Sequence, residues 1–214
     1  MTADARAWWF DPRRTYEDNV AHGPFHGFGE TATGLSGENE DAGAATSVRA
    51  DARIAPPAPR AGQTFLGIDV RTAFGIAAGP LPTARHCAAA FREGFDVNVY
   101  KTVRTHAVHA HPFPNALAVR APGDLPAGGG ATVLAERDVR DTDTITNSYG
   151  VPSPDPDVWQ PDMAAAAAAA GPGQVLVGSC QGTRSRRGVD ALVADFARVA
   201  ELTAETGVRA LELN

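Results

Sequence analysis

Cysteine is nearly missing from this chain of 214 residues: Cys87 and Cys180 lie far apart, with no CxxC pair. That spacing indicates neither a zinc ribbon nor a disulfide framework, and both thiols read as small buried hydrophobes. Long apolar runs are missing too. None approaches the ~20 residues a membrane helix needs, and the opening MTADARAWWFDPRR has no basic segment leading into a hydrophobic core. Positive charge is short as well, with a formal net charge of -6. This opposes a phosphate-binding surface, and the one basic cluster, Arg184, Arg186 and Arg187, reads as a solvated loop. The expectation is a cytoplasmic protein that binds neither nucleic acid nor membrane.

What is present is ordinary globular material, 43% hydrophobic and 21% charged, enough for one large domain or two small ones. Residues 1 to 30 carry aromatics and turn residues that suit a short ordered arm. From Thr31 to Gln63 the sequence is Gly, Ala, Asp, Glu, Ser and Pro with almost no large apolar residue. Such a stretch cannot bury enough surface to offset the entropy of ordering, so residues 1–63 read as an arm plus flexible linker ahead of a folded portion at 64–214.

From Thr64 the pattern alternates strands and helices. TFLGIDV (Thr64 to Val70) and TAFGIAA (Thr72 to Ala78) read as strands, the second buried on both faces. A helix follows, capped by Thr83 and stopped at Gly94. DVNVYKT (Asp96 to Thr102) is the next buried strand, one helix away, as in a βαβ unit of a parallel sheet. The Pro-, Gly- and His-rich excursion from Val103 to Thr146 contains ALAVR and ATVLAER, which suggest a hairpin inserted over one end of the sheet. Asp155 to Ala170 reads as a helix whose seven alanines allow close approach to the sheet. QVLVGSC is a third such strand, and an amphipathic helix through Val189, Leu192, Val193, Phe196, Val199, Ala200 and Leu202 leads to a fourth, VRALELN. Four parallel strands alternating with helices predict an α/β sheet or part of a (β/α) barrel.

Ligands in such folds sit at the C-terminal strand ends. The first buried strand ends in Ala77, Ala78, Gly79 and Pro80, where small side chains admit a flat ligand or simply make a tight turn. The next ends in Lys101 and Thr102; a lysine at the mouth of an apolar strand is either a ligand contact or a snorkelling surface residue. After the insertion, Asn147 in ITNSYG (Ile145 to Gly150) offers an amide and Gly150 permits close backbone approach, or the segment is an Asx-turn. Asn214 ends the fourth strand. HAVHAH (His106, His109, His111) has no nearby carboxylate or Cys to complete a metal site.

Taken in order, FGIAAGP, VYKTVRT, NSYGVPS, VLVGSCQGT and ALELN resemble the dihydroorotate dehydrogenase family, FMN enzymes on a (β/α)8 barrel, from about Phe65 to Asn214. The resemblance implies that Ala77, Ala78 and Gly79 line the flavin with backbone. It implies that Lys101 touches both flavin and substrate carboxylate, with Thr102 on the cofactor. Asn147, Tyr149, Gly150, Val151 and Asn214 correspond to the segments that hold the pyrimidine. The reaction implied is oxidation of dihydroorotate to orotate in pyrimidine biosynthesis: a base removes the C5 proton while hydride passes from C6 to flavin N5.

In the family the fourth strand runs into a loop, roughly N-x-S-C-P-N, that supplies the base. The expectation is therefore the N-terminal half of a TIM barrel, with an inserted hairpin and a flexible N-terminal extension. It carries no catalytic base of its own, so Cys180 is not nominated and the chain alone is expected to be inactive. A complete version would be a homo-oligomer, or a partner chain would supply the second half-barrel. Two other readings stand beside this one: a related FMN barrel acting on another dihydropyrimidine, and an inactive fragment or subunit.

Overall fold

The computed structural model describes residues 9–25, 63–120, 123, 132–139, 142 and 144–214. The stretch read as a linker lies outside them, apart from Gln63. The first element, helix α1 (Tyr16–His22), is capped by the Thr15 hydroxyl, which accepts from the Asp18 amide.

The sequence from 64 to 70 is not one strand. Strands β1 (Thr64–Phe65) and β2 (Ile68–Asp69) pair antiparallel around Leu66 and Gly67, both in the left-handed region (φ 50° and 76°). A two-residue hairpin turn of type I′ needs that conformation at both positions. Gly67 meets the need; Leu66 gives no such signal, which is why the turn is hard to read.

The run from 72 to 78 also contracts, to β3 (Gly75–Ile76). Instead of being buried on both faces it is an edge strand. It lies so close to its neighbour that a Cβ at Gly75 would sit 1.6 Å from the Val97 carbonyl oxygen. Helix α2 (Ala84–Arg92) follows, then β4 (Val97–Val103), as expected. Thr83 occupies the cap position of α2, but its hydroxyl is engaged by His86 Nδ1 at 2.8 Å. The Ala84 amide donates instead to the Asp162 carboxylate, 2.7 Å away.

The inserted region is a three-stranded antiparallel sheet: β5 (Ala116–Val119) at the centre, flanked by β6 (Ala135–Glu136) and β7 (Ile145–Asn147). The two runs that suggested a hairpin do pair, and the start of ITNSYG contributes the third strand. Helix α3 (Pro156–Ala168) buries Trp159, Met163 and Ala166 at i, i+4, i+7 spacing, the stripe a helix packed on a sheet requires. Strand β8 (Val175–Cys180), helix α4 (Val189–Ala204) and β9 (Ala210–Leu213) complete the order. On α4, Val199 and Leu202 are buried, whereas Val189 and Val193 face outward.

The main sheet has the order β3-β4-β8-β9, all parallel. The parallel α/β reading therefore holds. One face packs on the helices through Leu81, Tyr100, Leu176, Met163, Trp159 and Val199. On the other, Val97, Val175, Val177 and Ala210 meet Ile68 and Val70 of the hairpin. Asp96, at the foot of β4, is buried and accepts from Arg71, Thr72 and Gln174, so its charge is fully used in structure. The C-terminal strand ends are left free to face a ligand.

Candidate functional site

Strand β4 breaks register at its C-terminal end. Tyr100 lies opposite Gly178 but Val103 lies opposite Cys180, so three steps on β4 match two on β8. Regular alternation would send Lys101 and Thr102 to opposite faces. The bulge allows both to line one cleft, the re-aiming that bulges beside functional sites perform.

That cleft has a volume of about 690 Å³. Of the residues singled out from sequence, Ala78, Gly79, Lys101, Thr102, Asn147, Tyr149, Gly150, Val151 and Asn214 all line it. Ala77 does not; it is exposed, one residue before the lining begins. Residues from four separate stretches of chain thus converge. The lining also includes Trp9, Phe10, Pro12 and Tyr16 of the N-terminal arm, which sequence reasoning left out. The aromatic cluster at 8–10 and the tyrosine at 16 were the available signal, but nothing in the local pattern says where such an arm docks.

Lys101 is the single lysine of the chain, whose other eighteen basic residues are arginines. Its amide donates to the Leu81 carbonyl at 3.0 Å, fixing the backbone, and its ammonium has no ion-pair partner among the described residues. Burial lowers its pKa to about 8, with help from the Arg104 guanidinium. The site therefore holds a desolvated cation with no ion-paired anion among the described residues.

The floor is tied across three strands. Thr102 Oγ1 is 2.9 Å from Ser179 Oγ, and Ser179 donates to Glu212 Oε1 at 2.7 Å. Asn214 Nδ2 donates to Thr102 Oγ1 at 3.0 Å, while its amide nitrogen binds the Cys180 carbonyl. Cys180 itself faces the helices, fully buried, and burial raises its thiol pKa.

The wall from 147 to 151 is held from outside. Asn115 donates to the carbonyls of His111 and Ser148, and the Ser148 amide donates to Asn115 O at 2.7 Å. His111 Nδ1 lies 2.9 Å from Ser148 Oγ. Gly150 (φ 77°) packs against the same imidazole, where a Cβ would come within 2.4 Å of Nε2. Val151 is left-handed as well (φ 51°), and the buried Arg104 donates to its carbonyl from Nε at 3.2 Å. Arg104 Nη1 donates to Thr183 Oγ1 at 3.1 Å, so one guanidinium joins the wall to the loop after β8. Thus His111 serves the wall, and no group of three or more His, Cys, Asp or Glu among the described residues is placed to hold a metal. No helix among the described residues is long and apolar enough to cross a membrane.

Phe10, Tyr16 and Tyr149 form a mutually touching aromatic trio at the cleft. The Phe10 and Tyr149 rings meet edge-on at 5.8 Å, and Tyr16 lies 5.9 Å from Tyr149. Burial raises the pKa of both tyrosines, so they are neutral phenols at physiological pH. Among the described residues, no carboxylate, imidazole or thiol side chain lines the cleft.

Over 213 residues the chain is 27% identical to a dihydroorotate dehydrogenase from Dictyostelium discoideum. The match takes in 96% of this chain and 52% of that protein, so the chain spans about half the length of the curated relative it matches. Coverage of 96% extends well ahead of Phe65, so the similarity exceeds the stretch that the strand-end motifs mark out. No protein-family model matches the chain.

Proposed function

We propose that this chain carries part of the site of a flavin-dependent oxidoreductase acting on a dihydropyrimidine, with dihydroorotate as substrate, orotate as product and FMN as cofactor. The observation that carries the reading is the convergence of the matched strand-end residues on one cleft around a lone lysine. Similarity to a protein named dihydroorotate dehydrogenase supports the reaction class.

The donor set suits the ring of a flavin. Gly79 presents backbone with open space where a Cβ would stand (φ 149°), and Lys101 and Thr102 offer an ammonium and a hydroxyl beside it. When bound, the flavin supplies the two-electron redox chemistry. The residues of this chain bind and orient. Lys101 neutralises a ring carboxylate, and Asn147 and Asn214 meet the amide edges of the pyrimidine, where an unpaired buried amide is costly and therefore discriminating. Thr102, ordered by Ser179 and Glu212, keeps Asn214 in place.

Because no carboxylate, imidazole or thiol side chain lines the cleft among the described residues, proton removal from the substrate is not assigned to it. That same feature favours a second reading, in which this chain is a binding subunit or fragment whose chemistry is completed elsewhere. Orotate titration and flavin retention separate the possibilities. Visible flavin absorbance that survives gel filtration, with orotate saturating in wild type and not in Lys101→Ala, supports the flavoenzyme reading. Orotate binding without flavin supports the subunit, and neither binding refutes the proposal.

A further inference from the structure

Residues 9–25 make a compact unit of their own. Asn19, fully buried, accepts from the Asp11 amide at 2.7 Å and donates to the carbonyls of Asp11 and Thr15 at 2.9 and 2.8 Å. Asp11 pairs with Arg13 and Arg14, and the Phe25 amide reaches back to the Trp9 carbonyl at 3.4 Å, so the two ends of the unit meet. The segment is thus closed on itself by its own hydrogen bonds and ion pairs.

Its attachments to the rest of the fold are of another kind. The Trp9 indole N–H donates to the Pro80 carbonyl at 2.9 Å, beside Ala78 and Gly79 in the cleft lining. Arg85 on α2 donates to the carbonyls of Val20 and Ala21, at the end of α1. Behind the unit is empty space. Tyr16 lines the main cleft and also a second cavity of about 400 Å³, walled by Val20 and Ala21 on one side and by Trp159 and Asp162 on the other. The unit also packs on the fold, through Trp9 beside the His86 ring at 6.3 Å, Gly23 on the same imidazole, and Phe10 and Tyr16 against Tyr149. Bonded internally and backed by a cavity, it is placed to leave as one body when those contacts release together.

We propose that residues 9–25 form a one-piece cover over the Lys101 cleft, latched by the Trp9 indole on the Pro80 carbonyl. In the closed position it presents Phe10 and Tyr16 to the ring of the bound molecule. The latch acts on access; Phe10 and Tyr16 act on selectivity, by requiring a flat ring that fits beside the aromatic trio. This assignment rests on the cleft being the ligand site proposed above.

The single lysine gives a direct readout, since an amine-reactive ester can acylate only Lys101 and the α-amine of the full chain. Acylation at each is followed by peptide mass spectrometry at pH 8, in wild type, Trp9→Phe and Arg85→Met, with the α-amine as internal reference. Loss of one latch hydrogen bond is expected to speed Lys101 acylation by about fivefold, with the cooperative melting transition retained. Wild-type rates at Lys101 in both folded variants overturn the cover. Hydrogen exchange on the wild-type chain decides if the variants do not fold. Amides of Asn19 and Gly23 exchanging together and well ahead of β4 support a cover that opens as a unit; exchange as slow as β4 overturns it. Orotate added to the acylation reaction keeps the two proposals apart. Faster labelling in the variants with no orotate protection in wild type leaves the cover standing and removes the pyrimidine reading.

Discussion

Replacing Lys101 by methionine should make the protein more stable. The ammonium has an ordinary pKa of 10.5 and one of about 8 in the fold, because it is buried and lies near Arg104. A depressed lysine pKa means that folding disfavours the charged form. With ~1.4 kcal/mol per pH unit, the displacement corresponds to about 3 kcal/mol of instability when the residue is charged in both states. Methionine keeps the unbranched shape and removes the charge, so up to about that much should be recovered at pH 7, several degrees in melting midpoint for a chain of this size. The sign against pH follows from proton counting. Between about 8 and 10.5 the unfolded chain binds the proton and the folded one does not, so wild-type stability rises relative to the variant through that window. Below about 8 the full gap is present, and above 10.5 it closes. Urea unfolding of both proteins at pH 7 and at several values up to 10.5 measures the gap, and titration of other groups cancels in the difference. A variant no more stable than wild type at pH 7, or a gap that does not narrow at high pH, would refute the claim that Lys101 is a strained, unpaired cation.

On the proposed reading of the cleft, orotate should bind with constant strength below pH about 8 and lose about tenfold per pH unit above it, read by calorimetry. Gly150→Ala should cost about 1–2 kcal/mol for its left-handed backbone alone and more for the contact with His111. Adding His111→Ala should recover the second part and not the first, so a double-mutant cycle with no coupling would contradict the packing. Asp162→Ala should destabilise by about 2–4 kcal/mol, since the amide at the start of α2 and the Tyr100 hydroxyl both lose their acceptor. Tyr100→Phe in that background should cost little more, and a large further loss in denaturant midpoint would show that the phenol had found another partner.

The long strands were legible from sequence because burial on both faces fills them with apolar and β-branched residues, as in Val175–Cys180 and, around Asn98 and Lys101, in Val97–Val103. Short edge elements were not. TFLGIDV looks continuous until Leu66 takes a left-handed conformation that its side chain does not advertise, and TAFGIAA keeps only two ladder residues because it runs along an edge. Of the candidate site, the strand-end residues could be listed because the topology dictates where such ends point. The bulge that turns Lys101 and Thr102 the same way, and the docking of Trp9, Phe10 and Tyr16, depend on contacts between distant stretches of chain. Local patterns carry no trace of those.

The carboxylate of Asp162 has a consequence for the order in which the molecule assembles. It caps α2 from a position 78 residues further along the chain and at the same time receives the Tyr100 hydroxyl of β4. The first strand–helix–strand unit is therefore finished by a side chain on the next helix, α3. During synthesis α2 must wait, with its first turn open to water, until α3 has formed and docked. A loop of that length closes slowly compared with local helix formation. The sheet and its two leading helices should consequently mature in a single late step, and nascent chains ending before residue 162 should show α2 as the most protease-sensitive helix.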